Sequence, residues 1–196
     1  MTKQALHSLS YTDYMKLVED YAAAGKTSGL DQTDHHKETT KLNVHRMQRL
    51  NKTAEILPEL REAMGKLKNT YSWLVLAETW CGDAAQCVPI IHLTAALSQK
   101  IEIKILLRDE NLDLMDRYLT NGARAIPKLI CIEKSSGKEL FHWGPRPKPA
   151  QDLAIALKAQ NASKDEKGLA IQKWYNADKG LHLQQELLAL VRAHLS

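Results

Sequence analysis

Long apolar runs are missing from this 196-residue sequence. Nowhere do about 18 apolar residues follow one another, which argues against a membrane-spanning helix. The opening Met-Thr-Lys-Gln-Ala-Leu-His-Ser-Leu-Ser also lacks the uninterrupted apolar stretch of a secretory signal. Cysteine is scarce: Cys81, Cys87 and Cys131 are too few, and odd in number, for a secreted disulfide framework. A soluble, cytoplasmic protein with reduced thiols is expected, in which any disulfide is a transient chemical state. Charge of one sign is not concentrated either, since Lys plus Arg number 27 against 23 Asp plus Glu and the signs alternate along most of the chain. That balance calls for neither nucleic acid nor a membrane surface as partner. Metal-ligand spacing is absent too, because Asp34-His35-His36 has no spaced Cys or His partner and reads as a solvated helix start. What is present, 44% hydrophobic and 26% charged residues, is the composition of a chain that folds.

The first 70 or so residues read as helical. Ser10 can cap a helix that carries Tyr14, Leu17, Val18 and Tyr21 and stops at Gly25. A longer pattern runs through Met47, Leu50, Ala54, Leu57, Leu60, Met64 and Leu67, with Pro58 suited to restarting it. His45, Arg46, Arg49 and Lys52 make a basic face expected to be solvated. At Trp73-Leu74-Val75-Leu76-Ala77 the pattern changes to a strand covered on both faces. A helix over 84–97 follows, then a strand over 101–107 and a short helix through Leu112, Met115 and Leu119, opened by Asp109 or Asn111 and closed by Asn121-Gly122. Strands over 128–133 and 138–143, joined by Ser135-Ser136-Gly137, are too closely linked for a parallel crossover and form a hairpin. This makes the sheet mixed, and no Gly-rich phosphate loop accompanies it, so a doubly wound nucleotide-binding fold is excluded. Helices over 152–160, 168–177 and 181–195 complete the chain.

Cys81 falls in the turn between the buried strand and the next helix. Backbone N–H groups at a helix start favour the thiolate, and Asp83 two residues on opposes it. If the helix start outweighs Asp83, the thiol is expected below the free value of about 8.5. The plainer reading is a small residue in a turn. Cys131, between Ile130 and Ile132, reads as core. Cys87, six residues after Cys81, is about 9 Å along the helix, too far to pair with it without unwinding, and reads as a helix-face residue, with a regulatory or resolving role as the alternative. His92 is likewise too far along to act as a base for Cys81, and His142 has no evident partner.

Trp80-Cys81-Gly82, Pro89 eight residues after the cysteine, and Ala125-Ile126-Pro127 before the hairpin resemble thioredoxin. The resemblance covers about 71–160; the helical front, the Asp83-Ala84-Ala85-Gln86 variant and the Trp174-Tyr175 tail are similar to a bacterial branch with extensions at both ends. It implies an α/β thioredoxin-like fold, a four-stranded mixed sheet flanked by helices, as a single domain over 1–196 with a helical front to 70 and a helical tail from 161. It implies a cis bond between Ile126 and Pro127, with Cys81 as nucleophile and Trp80, Gly82, Asp83, Ile126 and Pro127 around the substrate. Two departures stand out: Ala84 occupies the place of the second cysteine, and Val75 that of the buried acid. The expected activity is therefore thiol–disulfide exchange of the monothiol type on a protein disulfide or thiol, with glutathione or another low-molecular-weight thiol as co-substrate and no other cofactor. Glu78 is a candidate proton acceptor, or a solvated glutamate at a strand end. Arg124, three residues before Pro127, is a candidate for the carboxylate of glutathione or an acidic segment, or a solvated loop arginine. Peroxiredoxin chemistry is excluded, since Cys81 lacks both the threonine three residues earlier and the preceding proline. The alternative from another class is a non-catalytic module holding a peptide or protein in the Pro127 groove. A third is an adaptor presenting Trp174, Tyr175 and 183–195 to a partner, unless these pack on the protein's own core.

Overall fold

The computed structural model describes residues 7–195; the segment read above for a secretory signal lies, through residue 6, outside them. Three helices come first: α1 (Tyr11–Ala23), α2 (Asp34–Thr53) and α3 (Pro58–Gly65). The Ser10 hydroxyl accepts the Asp13 N–H, as the capping pattern anticipates. Pro58 opens α3, where its missing N–H costs nothing. No described helix is long and apolar enough to cross a membrane.

The sheet runs β2-β1-β3-β4, with β1 (Tyr71–Ala77), β2 (Ile101–Leu107), β3 (Lys128–Glu133) and β4 (Glu139–Trp143). β1 is parallel to β2 and antiparallel to β3, and β3 and β4 form the expected hairpin. Trp73, Val75, Leu76 and Ala77 of β1 are fully enclosed, which explains the continuous apolar run. Each large aliphatic side chain so covered contributes about 1.5–3 kcal/mol. At the edge of the sheet, Leu9 exchanges both backbone hydrogen bonds with Ile105 of β2. That contact covers part of an otherwise open edge.

α4 (Gly82–Ala95) connects β1 to β2 and runs through Pro89, with α2 packed on it. The expected helix after β2 is shorter than the periodicity suggests: a 3₁₀ turn over Arg108–Glu110 and one turn of α5 (Leu112–Met115). The Asn111 side chain does not cap it; its Nδ2 donates to the Leu107 carbonyl at 2.8 Å. Asn121 and Gly122 then adopt left-handed backbone and turn the chain. After β4 come α6 (Lys148–Ala159), α7 (Lys164–Asp178) and α8 (Leu181–His194). α7 begins earlier than its apolar spacing suggests, because Ser163 and Glu166 form a reciprocal capping box. Tyr175, Leu183, Leu187 and Val191 are buried, and α8 packs on α3. The tail residues expected to face a partner, if the chain were an adaptor, are thus largely spent on its own core, with Trp174 packed partly against it.

Candidate functional site

β1 delivers its C-terminal end to a short turn, and Cys81 is the residue that caps α4. Its Sγ accepts the Ala84 N–H at 3.4 Å and donates to the Ile126 carbonyl at 3.3 Å. The Ile126–Pro127 bond is cis, and the sulfur lies against the loop that the family resemblance pointed to. The thiol is only 7% exposed, and Ile126 and Pro127 are buried with it. The expected low pKa is overturned. Burial pushes the Cys81 thiol up to about 12, the Asp83 charge adds to that push, and the Ala84 N–H and Arg146 only partly offset it. Loss of water outweighs the helix-start amides of Asp83 and Ala84 that favour the thiolate. Ala84 is itself fully buried, so a methyl group fills the place of a resolving thiol.

Asp83 is the centre of a charged cluster. Arg146, from the loop after β4, grips its carboxylate with two N–H groups, and Tyr175 of α7 donates its hydroxyl to Oδ1 at 2.8 Å. The same hydroxyl is 3.5 Å from the Cys87 Sγ, which is buried inside α4. Burial drives both Cys87 and Tyr175 well above their ordinary values. Gly144 lets the Arg146 loop pass against Pro127: its φ is +117°, and a Cβ there would collide with the Pro127 carbonyl. All three cysteines are free.

Glu78 is fully buried, which overturns the surface reading. Ser28 donates its hydroxyl to one carboxylate oxygen, and the Asp109 N–H donates to the other at 2.8 Å. Neither oxygen hydrogen-bonds the sulfur. Burial raises the Glu78 pKa, opposed by those two donors. Around it, Ser28 and Thr79 exchange backbone and hydroxyl contacts at 2.9 Å, and the hydroxyls of Thr27 and Thr40 join them. Buried Asn43 of α2 adds a bond from its amide to the Thr79 carbonyl at 2.8 Å. Arg124 is not at the thiol's service: it forks onto Asp116 at 2.6 and 2.8 Å in an exposed pair, and that carboxylate takes up its charge.

Other residues stand where Arg124 was expected. Trp80 is half-buried, with the His36 ring stacked on it at 4.3 Å and the Arg108 guanidinium 4.9 Å from its centroid. Arg46, expected to be solvated, is half-buried beside Gly82. His36, Arg46, Arg146 and Tyr175 were all missed as site residues. Arg146 stands in the Gly144-Pro145-Arg146-Pro147 run after the last strand, a local turn signal, whereas His36 and Arg46 stood in patterns read as solvated and Tyr175 in the helical tail. His92 has a partner in the ring of Tyr11, stacked at 3.9 Å, and His142 has one in Glu139. Among the described residues no cluster of His, Cys, Asp or Glu is arranged to hold a metal ion.

The chemistry on offer is that of one thiol set between a helix start and a carbonyl beside a cis-proline, with cations and an indole at its margin. A family model described as thioredoxin matches residues 29–163. A protein of unknown function from Pseudomonas aeruginosa superimposes with a TM-score of 0.58 at 18% identity, covering 94% of this chain and 98% of its own. An HIV epitope-scaffold superimposes at 0.56 and 17% identity, covering 94% and 99%. At these identities the likeness is one of fold. No curated protein matches the sequence.

Proposed function

The chain belongs to the thioredoxin family, and from that premise we propose that it carries out thiol–disulfide exchange of the monothiol type at Cys81. The observation that carries this reading is the position of Cys81 as the cap of α4 with its sulfur against the Ile126 carbonyl. In the first step the Cys81 sulfur attacks a disulfide, or the mixed disulfide of a protein with a small thiol. A new S–S bond to Cys81 forms, the old S–S bond breaks, and the Cys81 proton ends on the departing thiol. In the second, an external thiol attacks the adduct, leaves as a disulfide with the group that Cys81 carried, and returns a proton to Cys81. Electrons balance at each step, since one disulfide and one thiol enter and one of each leave. Ala84 cannot perform the second step, so the external thiol is required. Trp80, Gly82, Asp83, Ile126 and Pro127 are assigned to the substrate groove. Glu78 is assigned to holding the turn, and proton transfer is left to the exchanging thiols.

The test is to incubate the reduced full chain with glutathione disulfide and to map the adduct by mass, then to add a second thiol and follow release. An adduct on Cys81 that the added thiol removes over repeated cycles, and that Cys81→Ser abolishes, is expected. The raised Cys81 pKa favours a second reading, a module that binds a peptide or protein in this groove without chemistry. Folded protein that forms no Cys81 adduct would transfer the assignment to that module.

A further inference from the structure

Arg46 of α2 has no carboxylate in ion-pair contact among the described residues, although it stands beside the Cys81 turn. Its aim is fixed from the site itself. Nη1 donates to the Asn43 Oδ1 at 2.9 Å, and the Asn43 amide in turn holds the carbonyl of Thr79, two residues before Cys81. Nη1 lies 3.5 Å from the point a Cβ on Gly82 would occupy. Asp83, the carboxylate that acts favourably on Arg46, is already committed to Arg146 and Tyr175. Burial and the neighbouring Arg49 both work against the Arg46 charge.

A half-buried guanidinium with a like charge nearby and no acid in contact is costly to maintain as structure alone. One hydrogen bond to Asn43 leaves most of its five N–H donors without a partner among the described residues, in a planar fork that suits a carboxylate. We propose that Arg46 is the carboxylate-binding residue of this site, and that the group Cys81 accepts from its substrate is a small carboxylate-bearing thiol. The choice of ligand rests on the exchange reading above; the position of the cation does not. Cys81 is only 7% exposed, which suits a slim thiol, and Arg46 stands against Gly82, the next residue along the chain.

The test is a titration of the full-length reduced protein with S-methylglutathione, followed at the backbone amides of Gly82 and Asp83 by NMR. Saturable shifts are expected, with affinity weakened at least about fivefold by Arg46→Gln and less by Arg46→Lys, which keeps the charge but not the fork. The amide spectrum reports whether each variant is folded, and Arg46→Lys carries the comparison if Arg46→Gln is not. No saturable shift in the wild type, or equal affinity in wild type and both variants, overturns the proposal. Because the probe's sulfur is blocked, binding is read without exchange. Arg46-dependent binding with no Cys81 adduct would discard the exchange chemistry, and with it the thiol accepted by Cys81, and keep Arg46 as the carboxylate-binding residue. A Cys81 adduct without Arg46-dependent binding would discard this assignment alone.

Discussion

The two sides of Cys81 are built from different materials. On the side toward β1, Glu78 and Thr79 are sealed among hydroxyls and amides of the 27–43 segment, and none of these groups hydrogen-bonds the sulfur. On the side toward α4, Asp83 sits in a charged cluster with Arg146, Tyr175 and Cys87, and its charge is felt by both thiols. Each side moors one helical extension to the turn, the first α2 and the loop before it, the second α7. The difference teaches a division of labour: residues before the cysteine hold the backbone, and residues after it set the electrostatic surroundings of the sulfur.

The largest effect should come from the first side. Glu78→Ala leaves the Ser28 hydroxyl and the Asp109 N–H without acceptors in the interior and should cost about 3 kcal/mol in a denaturant titration. The Cys81 titration should stay in place. Glu78→Gln should keep most of the stability and remove a pH slope. Because burial raises the folded Glu78 pKa, its contribution is fully present below the unfolded value of 4.5 and is lost as pH rises through the folded one. The wild type should therefore lose ground to Glu78→Gln on going from acid to neutral pH. A Glu78 variant that moves the Cys81 titration would break the comparison.

Asp83→Asn should cost less, about 2 kcal/mol, from the lost charge in the Arg146 pair. It should also lower the Cys81 pKa, since a negative charge is removed and Arg146 stays. The rate of Cys81 alkylation at a fixed pH above neutrality should rise accordingly. Tyr175→Phe should have the smallest effect, about 1 kcal/mol, because one hydroxyl is lost and Arg146 still satisfies the carboxylate. If Tyr175→Phe destabilises more than Glu78→Ala, the mooring of the two extensions has been ranked wrongly.

The sheet was legible because β1 and β2 write their burial into unbroken or alternating apolar runs and the hairpin into a short link, residues 134–138. Cys81 and Pro127 were legible because their motifs are local. Glu78 was not: one carboxylate in sequence looks the same whether water or Ser28, fifty residues away, meets it. Arg124 and Arg46 exchanged places for the same reason. Which arginine is neutralised depends on Asp116 and on the packing of α2, neither of which is visible in the neighbouring residues. The thiol's acidity was misjudged because a helix start can be recognised from sequence, whereas the depth of burial around it cannot.

The account stands on Cys81 being the thiol that reacts in the folded protein, although burial raises the pKa of all three. Brief iodoacetamide treatment of the native protein across a range of pH, with peptide mapping of Cys81, Cys87 and Cys131, measures this directly. Cys81 should label first, at a rate that climbs with pH and does not level off below about pH 10. Labelling of Cys87 or Cys131 at an equal or faster rate would contradict it.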